Sequence, residues 1–279
     1  MARRIRLGVI VPSSNTALEP LTSAIVSSIS DADLDVSVHY SRFRVTTIDV
    51  SSAADAQFQL EPMVAAARLL ADAEVDVIGW SGTSAGWLGF DRDEVLCKAI
   101  QDATGVPATS SILAMNALLR GLQRRGSSES VEKVKPKLAL VTPYVKSVND
   151  AIRANYAAIG HEITPERERY LGMTKNTDFG NVDESTLDAM VDEVVTEGGA
   201  DVVAIYCTNL RGAGRAAYWE QRHRGSNGGG GGGSGSSRGV VVLDSIATTV
   251  WGMLQTLDGV DPACVKGWGA IFQQPTTNN

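Results

Sequence analysis

Short β-branched runs alternate with longer amphipathic stretches along most of the chain, which is the pattern of an α/β protein built on parallel sheet. The short runs predict strands at Ile5–Val11, Asp35–Tyr40, Val75–Trp80, Lys137–Val141, Val202–Tyr206 and Val240–Leu243. VDVIGW and ADVVAIYC are apolar almost without alternation, as strands covered on both faces are. Between the strands, the amphipathic stretches predict helices over Ala17–Ser28, Ala54–Ala71, Asp91–Ala103, Ile112–Arg124, Val145–Ala158, Ser185–Glu197 and Ile246–Leu257. Two segments break the pattern. Arg124–Lys137 is polar and reads as a connector. Arg224–Arg238 contains GGGGGGSGSS, which has no apolar side chain whose burial could offset the cost of ordering it, and is expected to be a mobile surface loop. It leads into a strand, whereas a phosphate-binding loop lies between a strand and a helix.

The two halves echo one another. One strand ends in VPSSNT and another in VTPYVKSVN, and AEVDVIGWSGTSAG is answered by GADVVAIYCTNLRG. Each member is a strand that stops in a turn of small residues before a helix start. The expected architecture is two similar Rossmann-like lobes whose parallel sheets face one central cleft, because strand C-termini host ligands in such folds. The N-terminal lobe is expected over 1–115, completed by 244–279. The C-terminal lobe is expected over 116–243, with the Gly-rich insertion at 225–238. The final helix is expected to pack back on the N-terminal lobe.

Composition narrows the class of protein. The chain has 279 residues, and its 32 acidic against 25 basic residues give a formal charge of −7 with no basic run, so nucleic acid is not an expected partner. No apolar stretch approaches the ~18 residues that span a membrane. MARRIRLGVIVP mimics a signal peptide, but its apolar part ends at Pro12 and reads as a first strand. Three cysteines, Cys97, Cys207 and Cys264, argue against a disulfide framework. A soluble, cytoplasmic protein is the expectation. His39, His161 and His223 are scattered, so no metal site is expected. Neither a phosphate-loop motif nor a GxGxxG after the first strand is present, so no cofactor is expected either.

The candidate chemistry lies in the turns. In Ser81-Gly82-Thr83-Ser84-Ala85-Gly86 the hydroxyls either cap a helix or, with backbone N–H groups, bind a carboxylate or an enediolate. Tyr206-Cys207-Thr208-Asn209 stands at the equivalent point of the second half. There Cys207 is either a small buried hydrophobe or an acid, base or nucleophile. Tyr144 offers a phenol near the same level. Gly82–Gly86 also matches GxSxG after a strand, which keeps a serine hydrolase open if His161 or His223 completes a triad.

At these turns the sequence resembles the aspartate/glutamate racemase superfamily, in particular its maleate isomerase and arylmalonate decarboxylase branches. VPSSNT, TPY at Thr142–Tyr144 and NTDFG at Asn176–Gly180 are similar to the first branch. That resemblance implies that Asn15, Asn176 and Tyr144 hold substrate carboxylates. The GTS of Gly82, Thr83 and Ser84, and GVPATSSILAMNALLRGL, are similar to the second. There the resemblance implies a dioxyanion pocket of Thr83, Ser84 and Tyr144 with the turn of Cys207 and Thr208. Racemases and maleate isomerases of this superfamily carry a cysteine from each lobe; here Gly82 stands at the first position. The resemblance therefore implies a cofactor-independent enzyme with a small carboxylic or dicarboxylic acid substrate. Decarboxylation through an enediolate protonated by Cys207 leads, and a maleate-type cis–trans isomerase is the alternative. A racemase and a non-catalytic carboxylate-binding protein are further possibilities.

Overall fold

The computed structural model describes residues 2–48, 56–125, 133–225 and 239–274. The chain forms two four-stranded parallel sheets. The first contains β1 (Arg3–Pro12), β2 (Leu34–Phe43), β3 (Val77–Trp80) and β4 (Ala108–Ser110), in the order β2-β1-β3-β4. A short antiparallel ribbon, β5 (Arg124–Arg125) with β6 (Lys133–Val134), interrupts the polar connector. The second sheet contains β7 (Leu138–Tyr144), β8 (Glu168–Met173), β9 (Val202–Ile205) and β10 (Val241–Asp244), in the order β8-β7-β9-β10. The two orders are the same, and they pair β1 with β7 and β3 with β9, the strands whose sequences echo.

The central strands are buried from Leu7 onward in β1 and throughout β7: Leu7, Val9, Ile10 and Val11 of β1, and Leu138–Val141 of β7, are at most 1% exposed. Such burial on both faces explains why these strands read as continuous apolar runs. Two strands escaped that pattern. β8 is an edge strand of sequence ERYLGM in which no residue is fully buried. β4 has three residues and runs directly into helix Ser111–Gly121, where Ser110 Oγ accepts the N–H of Leu113 at 3.0 Å.

The last helix, Ser245–Thr256, is buried around its whole circumference over residues 245–254. It leaves the second sheet and packs on β3, β4 and helices Leu18–Ser27 and Ser111–Gly121. Thr249 on this helix bonds Ser81 Oγ at 3.1 Å and Ser111 Oγ at 2.6 Å, which pins the turn after β3. Residue 115 lies inside helix Ser111–Gly121, which packs on β4 and on the last helix. The Gly-rich insertion over 226–238 and the start of the helix expected from Ala54 lie outside the described residues; the helix observed there is Leu60–Ala71. Among the described residues no helix is long and apolar enough to cross a membrane. None of their His, Cys, Asp and Glu side chains form a group of three or more that could hold a metal ion.

Candidate active site

Strands β1, β3, β7 and β9 all end at one narrow cavity. Gly82, Thr83, Ser84, Tyr144, Asn176, Cys207 and Thr208 line it. Residues 126 positions apart thus meet because each sits at or just past the carboxyl end of a parallel strand. Asn15 stands one layer back. Its Oδ1 accepts the N–H groups of Ala17 (3.1 Å) and Leu18 (2.9 Å), and its Nδ2 donates to Thr208 Oγ1 at 3.1 Å. Its amide is engaged with the helix start and with Thr208, so any influence on a ligand passes through Thr208.

Cys207 follows β9 by two residues and is 3% exposed. Its Sγ accepts the N–H of Asn209 at 3.4 Å, and it shares the cavity wall with Tyr144. Tyr144 bonds Thr83 Oγ1 at 2.7 Å, so phenol and hydroxyl form a pair across the lobes. Burial pushes the Cys207 thiol up to about 11, outweighing the hydrogen bonds from Tyr144 and two backbone N–H groups that pull it down. Burial, followed by the nearby Cys207 charge, holds Tyr144 well above the usual phenol range. At neutral pH both groups carry their protons. Cys97, on helix Asp91–Thr104, and Cys264 are free thiols that do not line the cavity.

Among the described residues the rest of the wall is apolar: Pro12, Val45, Ile48, Phe58, Trp80 and Trp87. Trp87 meets Tyr144 and Phe58 edge-on, with ring centroids 5.5 and 5.9 Å apart. Its helix, Ala85–Leu88, sits directly on Tyr206; a Cβ on Gly86 would lie 2.3 Å from that phenol oxygen. Gly82 is constrained more tightly. A Cβ there would lie 2.0 Å from Trp80 Cζ2, so the indole fills the space a side chain at 82 would need. No histidine lines the cavity, and Ser84 has no imidazole to act as its base. His161 and His223 both lie away from the cavity that Ser84 lines, and His223 bonds Asp192, so the GxSxG match is no hydrolase triad.

Three contributors were absent from the residues chosen by sequence: Ser14, Asn209 and Trp80. Ser14 Oγ accepts from Asn176 Nδ2 at 2.8 Å. Asn209 is fully buried; its Oδ1 accepts the N–H groups of Thr16 (2.9 Å) and Ala17 (3.0 Å), and its Nδ2 donates to the Asn176 carbonyl. One side chain thus ties three segments together. Asn209→Ala should strand these groups at roughly 1–3 kcal/mol for each that finds no water. The melting temperature should fall by several degrees, with the Asn209→Asp variant intermediate. Calorimetry showing an unchanged transition for Asn209→Ala would discard this role. Trp80 was legible in principle: residues i and i+2 of an extended chain share a face, so a Trp two positions before a Gly suggests that one fills the other's space.

The arylmalonate decarboxylase family model matches residues 8–226 of the chain. A maleate isomerase of Pseudomonas putida KT2440 is 26% identical over 278 residues, covering 98% of both chains. Among solved structures, a maleate isomerase from Pseudomonas putida S16 with maleate superposes with a TM-score of 0.78 at 22% identity, over 99% of this chain and 100% of the other. A Nocardia farcinica maleate cis-trans isomerase mutant with a covalently bound succinylcysteine intermediate superposes with a TM-score of 0.75 at 22% identity, over 98% of this chain and 100% of the other. These likenesses establish a shared fold.

Proposed function

Because the chain belongs to the arylmalonate decarboxylase family of enzymes, in the superfamily branch that also holds the maleate isomerases, we propose that it decarboxylates an α-substituted malonate without a cofactor, Cys207 supplying the proton. The observation that carries this reading is the cavity's single cysteine. It is buried, and burial pushes its thiol up to about 11, while the matching turn of the first lobe offers Gly82 against an indole.

In this reading the hydroxyls of Thr83, Ser84, Tyr144 and Thr208 hold the carboxylate that stays. The carboxylate that leaves lies against Val45, Ile48 and Phe58, where poor solvation raises the energy of a charge about to be lost as neutral CO2. The bond from Cα to that carboxylate breaks, and its electron pair remains on Cα as an enediolate spread over the retained carboxylate. Cys207 gives its S–H proton to Cα, and the thiolate left behind regains a proton from solvent. An enediolate is a much stronger base than a thiolate, so a thiol of high pKa still serves as its acid. Asn15 and Asn176 would oppose this scheme if their amides gripped the departing group. Both are already engaged, with Thr208 and with Ser14.

A maleate-type cis–trans isomerase is the second reading, favoured by the curated relative and by the amide of Asn176 on the cavity wall. It needs Cys207 as a thiolate that adds to a double bond, and burial disfavours that form. Incubation with phenylmalonate and with maleate, followed by carbon NMR, separates the two. CO2 and phenylacetate are the expected products; fumarate without CO2 would establish the isomerase instead. The state of the thiol has its own test. Alkylation of Cys207 by iodoacetamide, mapped by peptide, should rise about tenfold per pH unit until pH approaches about 11, because only the thiolate reacts. A plateau near pH 8 would show an ordinary thiol and remove the argument for a resting acid.

A further inference from the structure

We infer that Asp244, which does not line the cavity, is a positioning residue: its charge disfavours the thiolate of Cys207 and so keeps that side chain an acid rather than a nucleophile. That role rests on the decarboxylase reading only for what the acid protonates.

β10 ends on Asp244, which pairs in parallel register with Ile205, the last residue of β9 and two positions before Cys207. The carboxyl is fully buried. Its Oδ1 accepts the N–H groups of Ile246 at 2.8 Å and Ala247 at 3.2 Å, which caps the last helix. Its Oδ2 is buried with no hydrogen-bond partner. That oxygen lies against the loop that carries the cysteine. A Cβ on Gly212, at the far end of the turn that begins at Cys207, would lie 2.8 Å from it and 2.7 Å from Ile205 Cγ2.

Capping does not explain the residue. Asn and Ser cap a helix as well as Asp does, and neither brings a charge. A buried carboxyl with an unpaired oxygen is costly and calls for a reason. The reason offered by the geometry is electrostatic: burial comes first in pushing the Cys207 thiol up, and the Asp244 charge adds to it. After the proton reaches Cα, the same repulsion favours its return to sulfur from solvent. Burial also raises the Asp244 carboxyl to about 7, so its charge appears as pH rises through neutrality. Among the described residues, the other elements packed on β10 bring few ionisable groups. The last helix, β9 and Ala270–Gln273 have none. On helix Ala216–Arg222, Glu220 accepts the N–H groups of Val242 and Ala270, and burial raises it to about 7 as well. Arg215 beside that helix is tied to Asp188 and stacked on Tyr218, and Arg222 is tied to Asp192.

Alkylation of Cys207 by iodoacetamide from about pH 5 to about pH 10 reads this charge. In the wild type the steep rise with pH should carry a step near pH 7, where ionisation of Asp244 sets the rate back about threefold. Asp244→Asn and Asp244→Ser keep a cap and lose the charge. Their rates should match wild type at about pH 5 and run about threefold higher at about pH 9, without the step. A variant that merely disturbed the turn would shift the rate by one factor at every pH. Glu220→Gln should leave the step in place. So should Asp93→Asn: that buried carboxyl is also raised to about 7, but its charge acts on Cys97. A wild-type profile with no step, a step that survives both Asp244 variants, or an offset equal at every pH overturns the role. Should neither Asp244 variant match wild type by circular dichroism, the wild-type step decides. Retained in Glu220→Gln and Asp93→Asn it supports Asp244, and lost in either it overturns the role. The step without CO2 from phenylmalonate refutes decarboxylation alone; CO2 without the step refutes the role of Asp244 alone.

Discussion

Cys207→Ser should keep the fold and ligand binding and lower turnover by at least ~100-fold, the scale of a positioned acid or base. Serine is nearly isosteric with cysteine, so packing against β9 survives. Its hydroxyl is far less acidic than a thiol, so transfer to Cα slows. The Tyr144–Thr83 hydrogen bond does not involve the thiol and should still hold the retained carboxylate's hydroxyls in place. Serine at Cys97 or Cys264 should change turnover little, because neither thiol lines the cavity. Rates of CO2 release, together with affinity for phenylacetate, check all three variants. Near-normal turnover in Cys207→Ser would move the chemistry to the hydroxyls of Thr83, Ser84 and Tyr144.

Gly82→Cys should destabilise the protein and, by itself, open no second face. Read from the sequence alone, this substitution restores the missing cysteine and brings out racemase or isomerase activity. In the folded chain the new Cβ would meet Trp80 Cζ2 at 2.0 Å, and that indole is 1% exposed and packed on Phe43 with ring centroids 5.3 Å apart. Overpacking a core in this way costs roughly 1–3 kcal/mol, or about 2–10 °C of melting temperature for a chain this size. Trp80→Leu would clear the space. The double variant Gly82→Cys with Trp80→Leu should therefore be more stable than the sum of the two single effects by at least ~1 kcal/mol. Only in that pair should the α-hydrogen of a chiral monoacid exchange with deuterium from solvent with loss of configuration. Thermal unfolding and proton NMR in heavy water measure the two effects. A single Gly82→Cys variant that melts like wild type would show that the indole yields freely and would discard the argument.

Most of the fold could be read along the chain because burial in a parallel sheet acts directly on composition. β1, β3, β7 and β9 lie under helices, their side chains leave water on both faces, and they appear as apolar runs that end in small-residue turns. Those same turns carry Gly82, Thr83, Ser84, Tyr144, Cys207 and Thr208, so the reactive end of each strand was also local information. β8 and β4 were not legible: an edge strand with no fully buried residue and a strand of three residues leave little pattern. What no local pattern contains is which polar group spends its hydrogen bonds on which other. Asn15 looked like a ligand for a carboxylate, yet its amide is engaged by Thr208, 193 residues away, and by the helix start beside it. Asn209 looked like the tail of a cysteine turn, yet it holds the first turn and Asn176 together. A hydrogen bond is satisfied within about 3 Å. Only the packing of two lobes around one cavity decides which of the donors brought there by distant strands are used up within the protein and which line the cavity.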